Sequence, residues 1–208
     1  MPRIESFEKH SDTYNEWFEK NRELYEAELE VIRQLIPHSE AEGMEVGVGS
    51  GRFAAPLGIK VGVEPSEKMA FKARRRGINV YPGIAENLPF PDGRFDFVLM
   101  VTTICFVDDV IMSFREAFRV LKPGGCIIVG FIDKESKLGR LYMNKREKSK
   151  FYKYATFFST QKVLQHLKKV GFGIVKVKQT LIPGQLPGTI LDGFGNGAFV
   201  ATKGIKEV

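Results

Sequence analysis

Glu45-Val46-Gly47-Val48-Gly49-Ser50-Gly51 is the stretch whose reading decides the fold. Met44 to Val48 reads as a short buried strand, and the glycines carry the chain from it into a turn and a short helix predicted to begin near Arg52. Glycine lets a backbone pass under a ligand without Cβ collisions, and a helix start presents free N–H groups and the positive end of its dipole. A dinucleotide fingerprint needs Gly-x-Gly-x-x-Gly. Counted from Gly47, its last position falls on Arg52, while the third glycine sits one residue early at Gly51. That spacing argues against NAD. The plain alternative is a tight strand-to-helix turn with no ligand.

Working outward from the loop, short β-branched runs alternate with helical segments. Ile59 to Val63, Ile78 to Tyr81, Phe95 to Val101, Ile127 to Ile132 and Phe172 to Thr180 read as further strands. A Gly-studded stretch near Gly197 to Thr202 reads as the last, giving about seven. Strand and helix in alternation imply a parallel sheet, so the fold class is α/β. Ser66 can cap a helix over Glu67 to Arg76, Asp108 or Asp109 one that reaches Leu121, and Ser159 one that ends at Gly171. Tyr14 to Ile36 has apolar residues at helical spacing and reads as one helix ended by Pro37. The expected organisation is an N-terminal helical cap over residues 1–37 and one α/β domain over 38–208, with a basic insertion at 134–158.

Of the 208 residues, 43% are hydrophobic, two are Cys, and the formal net charge is +6. This composition excludes a collagen-like repeat, a disulfide scaffold and a disordered chain. The longest run free of charge and proline, Phe97 to Val107, has 11 residues. A bilayer needs about 20 helical residues, so no membrane span is expected. The acidic N-terminus lacks a signal-peptide pattern, and a cytoplasmic location is expected. The net charge hides a gradient, with −5 over residues 1–60 and +11 over residues 134–208.

Four further segments follow the glycine loop in order. Gly62-Val63-Glu64-Pro65-Ser66 puts a carboxylate at the end of strand two, and Gly83-Ile84-Ala85-Glu86-Asn87-Leu88-Pro89-Phe90 follows strand three. Phe95-Asp96-Phe97-Val98 opens strand four, and Arg119-Val120-Leu121-Lys122-Pro123-Gly124-Gly125 leads into strand five. Together these residues resemble the class I S-adenosylmethionine-dependent methyltransferases, most closely the type 11 group that includes ubiquinone and menaquinone methyltransferases. The resemblance runs from about Phe7 to Lys203. It implies a Rossmann-like doubly wound sheet, mostly parallel with an antiparallel final strand, with helices on both faces and a helical cap.

The resemblance also implies a cofactor, S-adenosyl-L-methionine, and a site. Glu45, Gly47, Val48, Gly49 and Gly51 would form the loop beneath its methionine part. Glu64, followed by Pro65, would hold the ribose, and Ala85 with Glu86 would bracket adenine. Glu45 stands where the family more often has Asp, and Ile84 where many members have Asp, which shifts adenine recognition toward the backbone of Ala85 and Glu86. The short stretch between Gly51 and Ile59 makes Arg52 a candidate partner for the cofactor's carboxylate. Tyr14 in the cap can approach the methionine moiety and sulfur, or can simply pack its helix on the sheet as Trp17 does. Thr102 and Thr103 lie at the exit of strand four, where family members approach the methionine and the acceptor.

Methyl transfer from a sulfonium is an in-line displacement that needs position and electrostatics rather than an obligatory acid-base pair. His10 and Asp133 are the candidates for a base, His10 because it titrates near neutrality and Asp133 because it ends strand five. Without a Cys-x-x-Cys or His cluster, no metal site is expected. The acceptor is read as a small molecule. Residues 134–153 hold eight Lys or Arg against Glu135 and Glu147, interleaved with Tyr142, Phe151, Tyr152 and Tyr154. Three readings of that segment stay open: an amphipathic lid with solvated lysines, a lid over an anionic acceptor, or a surface for RNA or a protein partner.

Overall fold

A computed structural model describes residues 4–38 and 40–207. Eight strands form one sheet in the order β3-β2-β1-β4-β5-β8-β6-β7. The first five, β1 (Gly43–Val46), β2 (Val61–Val63), β3 (Asn79–Tyr81), β4 (Phe95–Val101) and β5 (Leu121–Ile132), pair in parallel. The last long strand, β8 (Phe199–Lys206), slots antiparallel between β5 and β6 (Phe172–Thr180), as the family pattern implies. The eighth strand is β7 (Leu191–Asp192), a two-residue edge that is not among the strands expected from the sequence.

The centre of the sheet is buried on both faces, and β4 shows how. Val98 and Met100 point into one apolar cluster with Phe114, Ala117 and Val120 of α4 (Val110–Val120) and Val163 and Leu167 of α6 (Thr160–Val170). Leu99 and Val101 point into the other, with Val31 and Ile32 of α2 (Arg22–Arg33) and Ala73 of α3 (Glu67–Arg74). Period-2 alternation divides the strand between the two layers. Phe95 and Phe97 should then share a face, yet they fall in different clusters, because a register shift lies between them.

Several helix boundaries follow local chemistry. Ser66, Asp109 and Ser159 accept hydrogen bonds from backbone N–H groups at the starts of α3, α4 and α6, each worth about 1 kcal/mol. The N-terminal reading needs correction. The stretch read as one helix is two, α1 (Glu5–Lys20) and α2, broken at Asn21, and α1 is itself kinked at His10. Asn21 donates both its backbone N–H and its side-chain Nδ2 to the Trp17 carbonyl, which closes the first helix and lets the second leave at an angle. The helix expected near Arg52 is only a 3-10 turn, Ala55–Leu57, ended by Gly58 at φ 77°. The basic segment folds as α5 (Lys137–Lys145) followed by two 3-10 turns, Arg146–Lys148 and Tyr152–Tyr154.

Candidate active site

The order of the strands positions the site. β1 and β4 lie side by side, but the chain leaves β1 toward β2 on one side and β4 toward β5 on the other. The loops therefore diverge at their carboxyl ends and open a crevice, the place where doubly wound sheets bind ligands. A cavity of about 240 Å³ lies there.

Its floor is built from the loops after β1, β2, β3 and β4. Gly47 and Gly49 line it with φ of 66° and 55°, a backbone that side chains rarely adopt. A Cβ on Gly47 would come within 2.5 Å of Thr103, whose hydroxyl sits 3.1 Å from the carbonyl oxygens of both Val46 and Val101. Glu64 ends β2 with its carboxylate on the cavity wall. Gly49 N–H donates to one oxygen and Ser66 N–H to the other, both at 2.9 Å. Burial raises its pKa to about 7, while those two N–H donors pull the other way. Pro65, Ala85, Glu86 and Thr102 complete the floor. Glu86 accepts from the N–H groups of Asp108 and Asp109, at 2.7 and 3.1 Å, and so ties the loop after β3 to the start of α4.

The roof is aromatic and comes from distant parts of the chain. Phe7 and Tyr14 of α1 meet Phe106 and Phe151 edge to face or tilted, with centroids 5.0 to 5.8 Å apart. Tyr142 of α5 stacks on Tyr152 at 5.2 Å, and all six rings line the cavity. The Tyr14 hydroxyl is held protonated by burial, reinforced by Glu45 and Glu64. Of the roof residues only Tyr14 is among the expected site residues, and one of the others is a carboxylic acid. Glu28 of α2 lines the cavity, 6% exposed, and burial pushes its carboxyl up to about 8.

Of the expected site residues, Tyr14, Gly47, Gly49, Glu64, Pro65, Ala85, Glu86, Thr102 and Thr103 share this wall, and six others do not. Val48 is core. Gly51 packs toward Ile78 and Ala73, where a Cβ would lie 2.6 Å from Ile78 Cδ1. Glu45 is buried beneath the loop with Oε2 unpartnered among the described residues, and burial raises its pKa well above the ordinary value. Arg52 is committed elsewhere. Its guanidinium donates to Glu19 at 2.7 Å and to Asn15, and lies over the Phe18 ring, tying α1 to the loop instead of pointing at a ligand. Neither base candidate reaches the cavity. His10 sits at the kink of α1 beside Phe151, and Asp133 accepts from the Thr160 hydroxyl at 2.6 Å and the Glu135 N–H at 2.8 Å, clasping β5 to α6.

This arrangement fits the cofactor that the resemblance implies. The floor is free of Cβ atoms where the backbone comes closest, and Glu64 keeps a second lone pair on each oxygen for a pair of hydroxyls. Glu45 adds an orphaned buried acceptor under the same loop. No group of three His, Cys, Asp or Glu suited to a metal occurs among the described residues. No helix among them is long and apolar enough to cross a membrane.

Fold and site define a Rossmann-like α/β protein with a crevice at the β1/β4 switch point. A family model described as a methyltransferase domain matches residues 44–129. A solved structure of a SAM-dependent methyltransferase from Thermotoga maritima, described as a possible histamine N-methyltransferase, is 50% identical, with a TM-score of 0.93 over 98% of this chain and 100% of that one. An uncharacterized protein of Methanocaldococcus jannaschii is 43% identical over 96% of this chain and 98% of its own length. A demethylmenaquinone methyltransferase of Chlorobaculum tepidum is 33% identical over 53% of this chain and 50% of its own. The chain belongs to the class I, type 11 S-adenosylmethionine-dependent methyltransferases, and S-adenosylmethionine is its cofactor.

Proposed function

We propose that this enzyme methylates a small molecule enclosed within the cavity. The carrying observation is the roof. Phe7, Tyr14, Phe106, Tyr142, Phe151 and Tyr152 close over a space of about 240 Å³, which suits a small ligand rather than a polymer. The basic segment supports the same reading from the outside. Lys137, Arg140, Lys145, Arg146, Lys148, Lys150 and Lys153 are exposed and absent from the wall, while Tyr142, Phe151 and Tyr152 turn inward and Tyr154 stays exposed. The lysines therefore solvate the lid and have no part in choosing what the cavity encloses.

When bound, the cofactor supplies an electrophilic methyl group on a sulfonium. The protein's part is to bind, orient and exclude water. In this reading the backbone of Gly47 and Gly49 and the Thr103 side chain hold the methionine end, Glu64 the ribose, and Ala85 with Glu86 the adenine. Tyr14, with its hydroxyl protonated, presents a neutral ring and O–H to the reacting end. The aromatic roof removes water, which strengthens each electrostatic contact beneath it.

A screen for the demethylated cofactor product, with small molecules in one arm and single-stranded RNA in the other, tests the proposal. Because the Thermotoga maritima relative is described as a possible histamine N-methyltransferase, histamine and related amines open the small-molecule arm. Turnover confined to the small-molecule arm is expected. Turnover on RNA alone would overturn it.

A further inference from the structure

Among the described residues, every Asp, Glu, Lys, Arg or His on the cavity wall is acidic: Glu28, Glu64 and Glu86. Two of the three are already engaged by backbone N–H groups, Glu64 by Gly49 and Ser66 and Glu86 by Asp108 and Asp109. Glu28 is different. It is 6% exposed, faces the cavity, and has no hydrogen-bond or ion-pair partner among the described residues.

Its place in α2 sharpens the point. The buried stripe of that helix is Ala27, Glu28, Val31 and Ile32, so a carboxylate occupies a slot where helical spacing calls for an apolar side chain. Burying an unpaired carboxylate is costly, and any partner that neutralises it recovers that cost. The surroundings indicate which partner. Tyr14, Tyr142 and Tyr152 all lie within electrostatic reach, since the Glu28 charge helps to raise the pKa of each after burial has done most of it. Aromatic faces around one buried carboxylate make a site for a cation with an apolar body. An anionic acceptor, one of the readings of the lid's lysines, would meet the Glu28 carboxyl there and no Lys, Arg or His among the described residues.

We propose that Glu28 is the residue that recognises the methyl acceptor, and that the acceptor is a small aromatic or apolar amine whose ammonium group pairs with this carboxylate beneath the aromatic roof. The inference rests on the cavity being the site of methyl transfer, and its test separates the two. A matched series with one ring and three charges serves as probe: phenethylamine, 2-phenylethanol and phenylacetate. Calorimetry on the full chain begins with S-adenosylhomocysteine alone. No binding at that step would overturn the function proposed above, whatever the amine does.

With S-adenosylhomocysteine bound, the wild type should prefer phenethylamine to the alcohol and the acid by about tenfold or more. Glu28→Gln should lose most of that preference while keeping its affinity for S-adenosylhomocysteine within about twofold. Because Glu28 is mostly protonated at pH 7 when unpaired, amine binding should release about one proton, seen by repeating the titration in buffers of different ionisation enthalpy, and Glu28→Gln should release none. Equal affinity across the series, preference for phenylacetate, or selectivity that survives in Glu28→Gln would each overturn the proposal. So would a tenfold loss of S-adenosylhomocysteine affinity in that variant, which would assign Glu28 to the cofactor. The wild-type series decides the charge preference without any variant, and Glu28→Met provides a second replacement should the glutamine variant fold poorly.

Discussion

The floor and the roof of the cavity are built on different principles. Backbone makes the floor: Gly47 and Gly49 at positive φ, Glu64 pinned by two N–H groups, and Thr103 wedged against Gly47. Side chains make the roof, with Phe7 and Tyr14 from α1, Glu28 from α2, Phe106 from the loop after β4, and Tyr142, Phe151 and Tyr152 from the segment after β5. A backbone floor cannot be altered piecemeal, because each residue holds its neighbour's geometry. A side-chain roof can exchange one ring or charge for another and keep the fold. The contrast suits an enzyme whose cofactor is constant while its acceptor varies.

Substitutions at the two surfaces can break that contrast, and the floor should give the largest effect. Gly47→Ala forces a Cβ into Thr103 at a strained φ, so calorimetry with S-adenosylhomocysteine should show a loss of about 100-fold or more. Near-normal affinity would mean that the loop can move aside. Glu64→Ala should weaken the same binding by about tenfold to 100-fold, since it removes a charged acceptor and leaves the Gly49 and Ser66 N–H groups without their partner.

The next effect is read on stability. Glu28 has a folded pKa of about 8, against an ordinary value of 4.5. The folded state therefore binds more protons than the unfolded one between those values, and stability falls as pH rises across that window. The contribution is full below about pH 4.5 and gone above about pH 8, with Glu64 adding in the same sense up to about 7. Melting of the cofactor-free protein from pH 5 to 8.5 should show a decline on the order of a few kcal/mol, and Glu28→Gln should flatten it. An unchanged decline in that variant would place its origin elsewhere.

Smaller effects are expected farther from the cavity. Arg52→Ala cuts the Glu19 and Asn15 contacts that tie α1 to the glycine loop, so amide exchange in α1 should speed up while global stability changes by less than about 1 kcal/mol. Smallest of all, charge reversal at exposed Lys148 and Lys150 should leave S-adenosylhomocysteine and phenethylamine affinities within about twofold. A larger change would bring the lid's outer charge back into acceptor choice.

The floor was largely legible in the linear chain because its residues act through local backbone geometry. Glycine spacing after one strand, a Glu ending the next and an Ala-Glu pair after the third each stand within a few residues of the strand that carries them. The roof was much less so. Tyr14 was visible through the cap, but Glu28 looked like one more charge on an acidic helix. Its signal was there, in the slot between Tyr25 and Ile32 of an apolar stripe, yet periodicity alone does not tell an exposed gap from a buried one. Arg52, His10 and Asp133 lie off the cavity wall for the complementary reason. Each lies close in sequence to the site, and a partner from another element takes it away: Glu19 holds Arg52, Phe151 flanks His10, and Thr160 holds Asp133.

The sequence by itself determined the α/β class, the mostly parallel sheet with its antiparallel final strand, the cofactor through the family resemblance, and most of the expected site residues that line the cavity. Those features depend on hydrophobic period, on glycine at fixed offsets and on a carboxylate at a strand end, all readable along one dimension. Only the tertiary structure decided which ionisable side chains face the cavity. Fifteen Lys and Arg against four Asp and Glu after residue 133 left an anionic acceptor as one of three readings, yet the lysines of the lid turn to water and, among the described residues, the wall holds the carboxyl groups of Glu28, Glu64 and Glu86. Ammonium groups stay in solvent because nothing repays their desolvation, whereas rings gain by leaving it. Which way an amphipathic segment faces is settled by what it packs against.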